Sequence, residues 1–129
     1  LKNIKTFSNF DVYGHLDYVV RYGPTKDTNY SYLQYQDIVD DILNHLIEEE
    51  KGIEINTGGL RAGLKSTNPC IDIIRRFREL GGEIITIGSD AHEKTEICDD
   101  FDMAMQNLKA IGFTHYHYYK DRKPYAIDL

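Results

Sequence analysis

The stretch Ile84-Ile85-Thr86-Ile87-Gly88-Ser89-Asp90-Ala91-His92 decides the fold of this chain. Its apolar, β-branched start reads as a strand, and the Asp and His that follow, two apart, can both turn into one cleft at the strand's end. A carboxylate beside an imidazole is a common ligand set for catalytic divalent metals. A second segment repeats the placement: Phe10-Asp11-Val12-Tyr13 reads as a short strand, and Gly14-His15-Leu16-Asp17 follows it.

Outward from these two strands the elements alternate. Ser31 and Gln34 stand at capping-box spacing before a helix on which Leu33, Ile38, Ile42, Leu43, Leu46 and Ile47 recur at helical intervals up to Lys51-Gly52. A strand over Ile53-Glu54-Ile55-Asn56 comes next. The second helix is expected to take Asn68 as its cap and Pro69 as its first residue. Ile71, Ile74, Phe77 and Leu80 share one face of it, and Gly81-Gly82 stops it. A third helix carries Phe101, Ala104, Met105, Leu108 and Ile111 and ends at Gly112; a strand from Phe113 to Tyr119 and a short extended piece at Tyr125-Ala126-Ile127 close the chain. The residues before Phe10 carry no helix or strand signal. This order predicts an α/β protein of parallel βα repeats, either an open doubly wound sheet or a (β/α) barrel. Both put the site at the carboxyl ends of the strands. Four βα units amount to about half of an eight-stranded barrel of ~250 residues.

Composition narrows the class further. With 129 residues, 41% hydrophobic and 28% charged, the chain reads as one globular domain. No apolar run approaches the roughly 20 residues of a membrane helix and no signal peptide opens the chain, so a cytoplasmic protein with no membrane partner is expected. A net charge of −6 without a clustered basic face argues against nucleic acid as a partner. Cys70 and Cys98 are expected to form a reduced, buried pair. The first residue is Leu rather than Met, as in a piece of a longer protein.

Four strings in order, FDVYGHLDYVVR from Phe10 to Arg21, GIEINTGGLRAG from Gly52 to Gly63, ITIGSDAH from Ile85 to His92 and GFTHYHYYKDRKP from Gly112 to Pro124, resemble the C-terminal half of the PHP (polymerase and histidinol phosphatase) family. Within it they are most similar to the monofunctional histidinol-phosphate phosphatases. The resemblance implies the C-terminal half of a distorted (β/α)7 barrel over residues 1–129, as part of a single domain. It implies up to three divalent ions (zinc, iron or manganese) at the carboxyl ends of the strands, and removal of phosphate from histidinol phosphate in histidine biosynthesis. By position, His15 resembles the metal-binding His of the family's G-H-x-D segment, and Asp90 and His92 resemble its last ligand pair. The family's N-terminal His-x-His segment and its further His and Glu ligands have no counterpart here. The chain alone is therefore expected to be an inactive half barrel that docks onto the missing N-terminal half or associates with itself. Another small phosphoester is the alternative substrate.

The chemistry points to the same residues. Adjacent metal ions speed phosphomonoester hydrolysis by lowering the pKa of a bound water and by holding attacking and leaving oxygens in line. Asp90 and His92 are expected to hold metal, and Arg61, on a Gly-rich loop at the same end of the sheet, to offer its planar fork to the phosphate. Asn56 is expected to line the substrate pocket. Asp17 is read either as a partner that orients His15 or as a cap for the next turn. Arg21 reads as structural. Glu54, inside a strand, must face a polar interior or an edge. His45 reads as a surface residue, and His115 and His117, alternating with tyrosines, read as sheet packing.

Overall fold

A computed structural model describes residues 1–129. Three short strands form one parallel sheet in the order β1-β2-β3: β1 is Val12–Tyr13, β2 is Gly52–Asn56 and β3 is Ile85–Gly88. Tyr13 stands opposite Ile53, Ile53 opposite Ile85, and Asn56 opposite Gly88, so all three strands end at the same side of the molecule. The helical crossovers are α2 (Gln36–Glu48) between β1 and β2, and a one-turn helix α3 (Gly58–Arg61) with α4 (Ile71–Glu79) between β2 and β3. After β3 comes α5 (Phe101–Ile111), which Gly112, at φ 103°, ends in the left-handed conformation that favours glycine.

The core lies where these helices meet the sheet. Leu43 and Leu46 of α2, Ile73, Ile74 and Phe77 of α4, and Ala104 and Leu108 of α5 pack on Ile53, Ile55 and Ile85. Fully burying an aliphatic or aromatic side chain of this size contributes about 1.5–3 kcal/mol. The cluster therefore supplies the main drive for folding. No helix is long and apolar enough to cross a membrane.

Several expectations need correction. The opening residues form a short helix, α1 (Lys2–Thr6), held by the buried Ile4 rather than by a capping side chain. The helix expected from Ser31 begins as a 3-10 turn over Tyr32–Tyr35, with Ser31 Oγ accepting from the Leu33 amide. That turn rotates Tyr32 inward and leaves Leu33 and Ile38 facing out, at 70% and 44% exposure. Asn68 does not cap α4, which starts at Ile71 after Cys70. Asn68 instead forms an antiparallel bridge with Asn56, and the Asn68–Pro69 peptide bond is cis. Cys70 is half-buried, its thiol pushed up to about 11 by burial, and Cys98 is exposed, so the two are not a buried pair.

The largest departure is at the end of the chain. The strand after Gly112 is not a fourth parallel strand of the sheet. It is β4 (His115–Lys120), paired antiparallel with β5 (Lys123–Asp128) in a separate two-stranded sheet. Asp121 and Arg122 make the two-residue turn, both at positive φ, 50° and 61°. Two-residue hairpins favour such primed turns because their twist matches that of the strands. Tyr118 and Tyr125 stack across the hairpin at 5.3 Å, and Tyr116 packs against the core beside β3.

Candidate functional site

The three strands deliver three polar segments to one end of the sheet. Behind β1 stand His15 and Asp17, behind β2 stand Asn56, Thr57 and α3, and behind β3 stand Ser89, Asp90 and His92. Glu54 lies between them. Its Oε2 accepts from the His15 amide and from Asn56 Nδ2, both at 3.1 Å, and a Cβ at Gly88 would fall 2.1 Å from its Oε1. Gly88 is therefore the space that the Glu54 carboxylate occupies. The sheet keeps this acid at its polar end, and sequence pattern alone could have found it only as a charge inside an apolar strand.

Asp90 adopts a left-handed backbone, φ 51°, a conformation that Asp tolerates better than most residues. Its Oδ2 meets Arg21 Nη1 at 3.2 Å. Arg21 is largely covered, with 10% of its side chain exposed, and its guanidinium carbon stands 4.5 Å from the centre of the Tyr18 ring. The Tyr18 ring in turn lies 4.4 Å from His15. A row of rings and charges thus joins the segment behind β1 to the one behind β3. Gly58 makes room for it, because a Cβ there would come within 2.6 Å of Arg21 Nη2. The sequence placed Arg21 in a structural role; the structure brings it onto Asp90. Its spacing six residues after His15 was the only available signal.

Arg61 does not present an open fork. Nη2 donates to the Ser89 and Asp90 carbonyls at 2.9 and 3.0 Å, Nε pairs with Glu96 at 3.0 Å, and Nη1 lies 3.8 Å from Asp99. It stands on α3 and holds the segment behind β3. Asn56 is buried, and both ends of its amide are engaged: Nδ2 donates to Glu54, and Oδ1 accepts from the Gly58 amide. Asp17 does not orient His15. It reaches Asn68 Nδ2 at 2.7 Å and the Cys70 amide at 2.9 Å, supplying from a distance the acceptor that the start of α4 lacks locally. Burial raises the Asp17 pKa, and these two hydrogen bonds oppose the rise.

His92 is exposed, and its Nδ1 lies 2.8 Å from the Asp90 carbonyl. A carbonyl only accepts, so Nδ1 carries a hydrogen, and Nε2 is the ring nitrogen not engaged by this bond. Its amide, with that of Glu93, donates to Glu96 Oε2, and these bonds together with Arg61 hold the Glu96 carboxyl below its ordinary pKa. Sequence reading missed Glu96 and Thr57. Thr57 Oγ1 donates to the Asp99 carbonyl at 2.6 Å, and its amide to that of Gly88 at 2.8 Å.

No three His, Cys, Asp or Glu side chains converge on one point, so His15, Asp90 and His92 by themselves do not fit a divalent-metal centre. What the residues present do is fix one imidazole tautomer, neutralise one carboxylate and shape one acid-lined end of a parallel sheet.

No family model matches the chain. It is 39% identical over 110 residues to a histidinol-phosphatase of Lactococcus lactis, covering 85% of this chain and 40% of that protein. Probable histidinol-phosphatases of Clostridium acetobutylicum and Thermotoga maritima are each 37% identical, over 80% and 82% of this chain and 42% and 43% of theirs. Among solved structures, histidinol phosphate phosphatase from Lactococcus lactis, complexed with zinc, L-histidinol and phosphate, superposes with a TM-score of 0.75. The identity there is 28%, over 96% of this chain and 47% of that one. The chain spans about two fifths of the curated relatives it matches, and in sequence and fold it resembles part of these histidinol-phosphatases.

Proposed function

We propose that this chain is the C-terminal part of a single PHP-type barrel domain, a metal-dependent phosphomonoester hydrolase acting on histidinol phosphate. The observation that carries the reading is the gathering of His15, Glu54, Asp90 and His92 at the carboxyl end of one parallel sheet, in a chain related to histidinol-phosphatases. In this reading His15, Asp90 and His92 are donors to a centre whose other ligands come from outside the 129 residues. A bound zinc, iron or manganese ion would supply a hydroxide near neutral pH and positive charge for the phosphoryl oxygens.

The chain's own residues set the stage for that chemistry. Arg21 places a fixed positive charge on Asp90 and holds its carboxylate in one orientation. The Asp90 carbonyl engages His92 Nδ1, which leaves Nε2 as the ring nitrogen for a donor role. Arg61 fixes the backbone between them by binding two consecutive carbonyls. Taken alone, the half barrel is non-catalytic, since its donors do not converge.

The test joins the 129-residue chain, by fusion or by mixing, to the portion of the Lactococcus lactis histidinol-phosphatase that it lacks. Phosphate release from histidinol phosphate is followed with zinc supplied. Turnover that needs both parts and drops by several orders of magnitude with Asp90→Asn is the expected result. Parts that co-elute and bind zinc yet release no phosphate would reject the substrate, and full activity in the Asp90→Asn variant would reject that residue as a ligand.

A further inference from the structure

The carboxylate of Glu96 binds two consecutive amides of the segment behind β3 and pairs with Arg61, yet lies outside the proposed donor set. We propose that Glu96 is a positioning residue that holds His92 in its donor-ready tautomer; this rests on the reading of His92 as a donor.

Glu96 works with both oxygens. Oε2 accepts from the His92 amide at 2.7 Å and the Glu93 amide at 3.3 Å, and Oε1 pairs with Arg61 Nε at 3.0 Å. Through Arg61 the same unit reaches the Ser89 and Asp90 carbonyls. The Asp90 carbonyl also accepts from His92 Nδ1. The result is a closed ring: Glu96 to the His92 backbone, His92 ring to the Asp90 carbonyl, that carbonyl to Arg61, and Arg61 back to Glu96. A ring of this kind fixes a backbone that would otherwise resist its shape, because Asp90 sits at positive φ without being glycine.

Orientation follows from the ring. With the His92 amide anchored, its side chain can fold back two residues to the Asp90 carbonyl, and that bond fixes the proton on Nδ1. Without the anchor, the exposed imidazole is free to turn into solvent and exchange tautomers. Partners that orient a ligating imidazole in this way typically alter metal affinity by about 10- to 100-fold when removed.

The experiment compares the 129-residue chain with its Glu96→Ala and Glu96→Gln variants by ¹⁵N NMR of the His92 ring and amide, with zinc affinity measured in parallel by calorimetry. In the unaltered chain His92 should be chiefly the Nδ1–H tautomer, its amide shifted downfield by the carboxylate. Glu96→Ala should remove both features. Glu96→Gln, which keeps an oxygen for the amide but loses the ion pair with Arg61, should fall between. Unchanged amide shifts of Ile55 and Ile87 in all three proteins certify that the sheet is intact.

If the Nδ1–H tautomer persists in Glu96→Ala with the sheet intact, or is absent from the unaltered chain, the proposal is wrong. Zinc binding separates the two readings. Tautomer loss in Glu96→Ala, with no zinc bound even by the completed two-part protein, supports the positioning role and rejects the metal reading. Tautomer loss with zinc affinity about 10- to 100-fold weaker in that protein supports both.

Discussion

Replacing Gly58 by Ala should destabilise the protein through Arg21, although an added methyl at the first position of a helix is ordinarily favourable. Alanine gains up to about 1 kcal/mol over glycine from backbone entropy. Against that, its Cβ would stand 2.6 Å from Arg21 Nη2, 3.0 Å from Asn56 Oδ1 and 3.1 Å from the Ser89 carbonyl. The carbonyl belongs to backbone already fixed by Arg61, and Asn56 is committed at both ends of its amide, so Arg21 is the group that must move. Overpacking of this kind costs about 1–3 kcal/mol. Displacing Arg21 also weakens its bond to Asp90, worth about 1.5 kcal/mol at the low end for a charged pair because Asp90 is partly exposed. The net loss is roughly 2–3 kcal/mol. Urea unfolding should read it as a midpoint lowered by roughly 0.7–3 M for an m-value of about 1–3 kcal/mol/M. The decisive measurement is the double-mutant cycle with Arg21→Ala, which opens the space: in that background Gly58→Ala should cost less than about 1 kcal/mol. Additivity of the two changes within about 0.5 kcal/mol would refute the reasoning, as would an unaltered midpoint in Gly58→Ala.

Asp17→Ala should cost about 2–5 kcal/mol, since the buried Asn68 amide and the Cys70 N–H both lose their acceptor; a loss under about 1 kcal/mol in urea would mean that water replaces it. Asp17 binds its proton more tightly folded than unfolded, so its pH-dependent contribution is fullest below 3.8 and declines as pH rises through the raised folded value. Unfolding of the unaltered chain and of Asp17→Ala across that range should therefore diverge in slope, with the unaltered chain losing more on going up. Asp40 behaves in the opposite sense: Arg76 and Tyr32 hold its pKa down, so its contribution is present above 3.8 and lost as pH falls through the lowered value. Asp40→Asn should flatten the acid limb of the stability curve, and an unchanged limb would remove the pair from the account.

The parallel core was legible because its signals are redundant. Ile53, Ile55 and Ile85 are β-branched, Gly81-Gly82 and Gly112 stop helices, and Phe77 and Leu108 fall on predicted inner faces. The hairpin was not, because its turn is Asp121-Arg122, with no glycine at either positive-φ position, and a strand followed by an extended piece reads the same for a crossover as for a hairpin. Asp90, His92 and His15 could be picked out because D-x-H and G-H-x-D are local patterns, though the structure leaves their grouping incomplete. The contacts that Arg61, Asn56 and Asp17 make were not legible, since their partners lie from 28 to 53 residues away except for the Asn56 contacts within β2 and α3. Glu96 carried no pattern at all. Its role exists only once Arg61 and the His92 amide have been brought to it.

The reach of Asp17 to Asn68 and Cys70 ties together residues 51 and 53 positions apart. Closing a loop of that length carries an entropy cost that grows as the logarithm of its size, and it must be met before the carboxylate gains its two donors. The helices need only near neighbours to begin, but the end of the sheet that bears the candidate site waits on contacts of this range. The end of the sheet that bears the candidate site is therefore expected to close after its helices have formed. The same contacts should be the earliest to open when the chain breathes, and amide exchange at Cys70 should outpace exchange at Ile55.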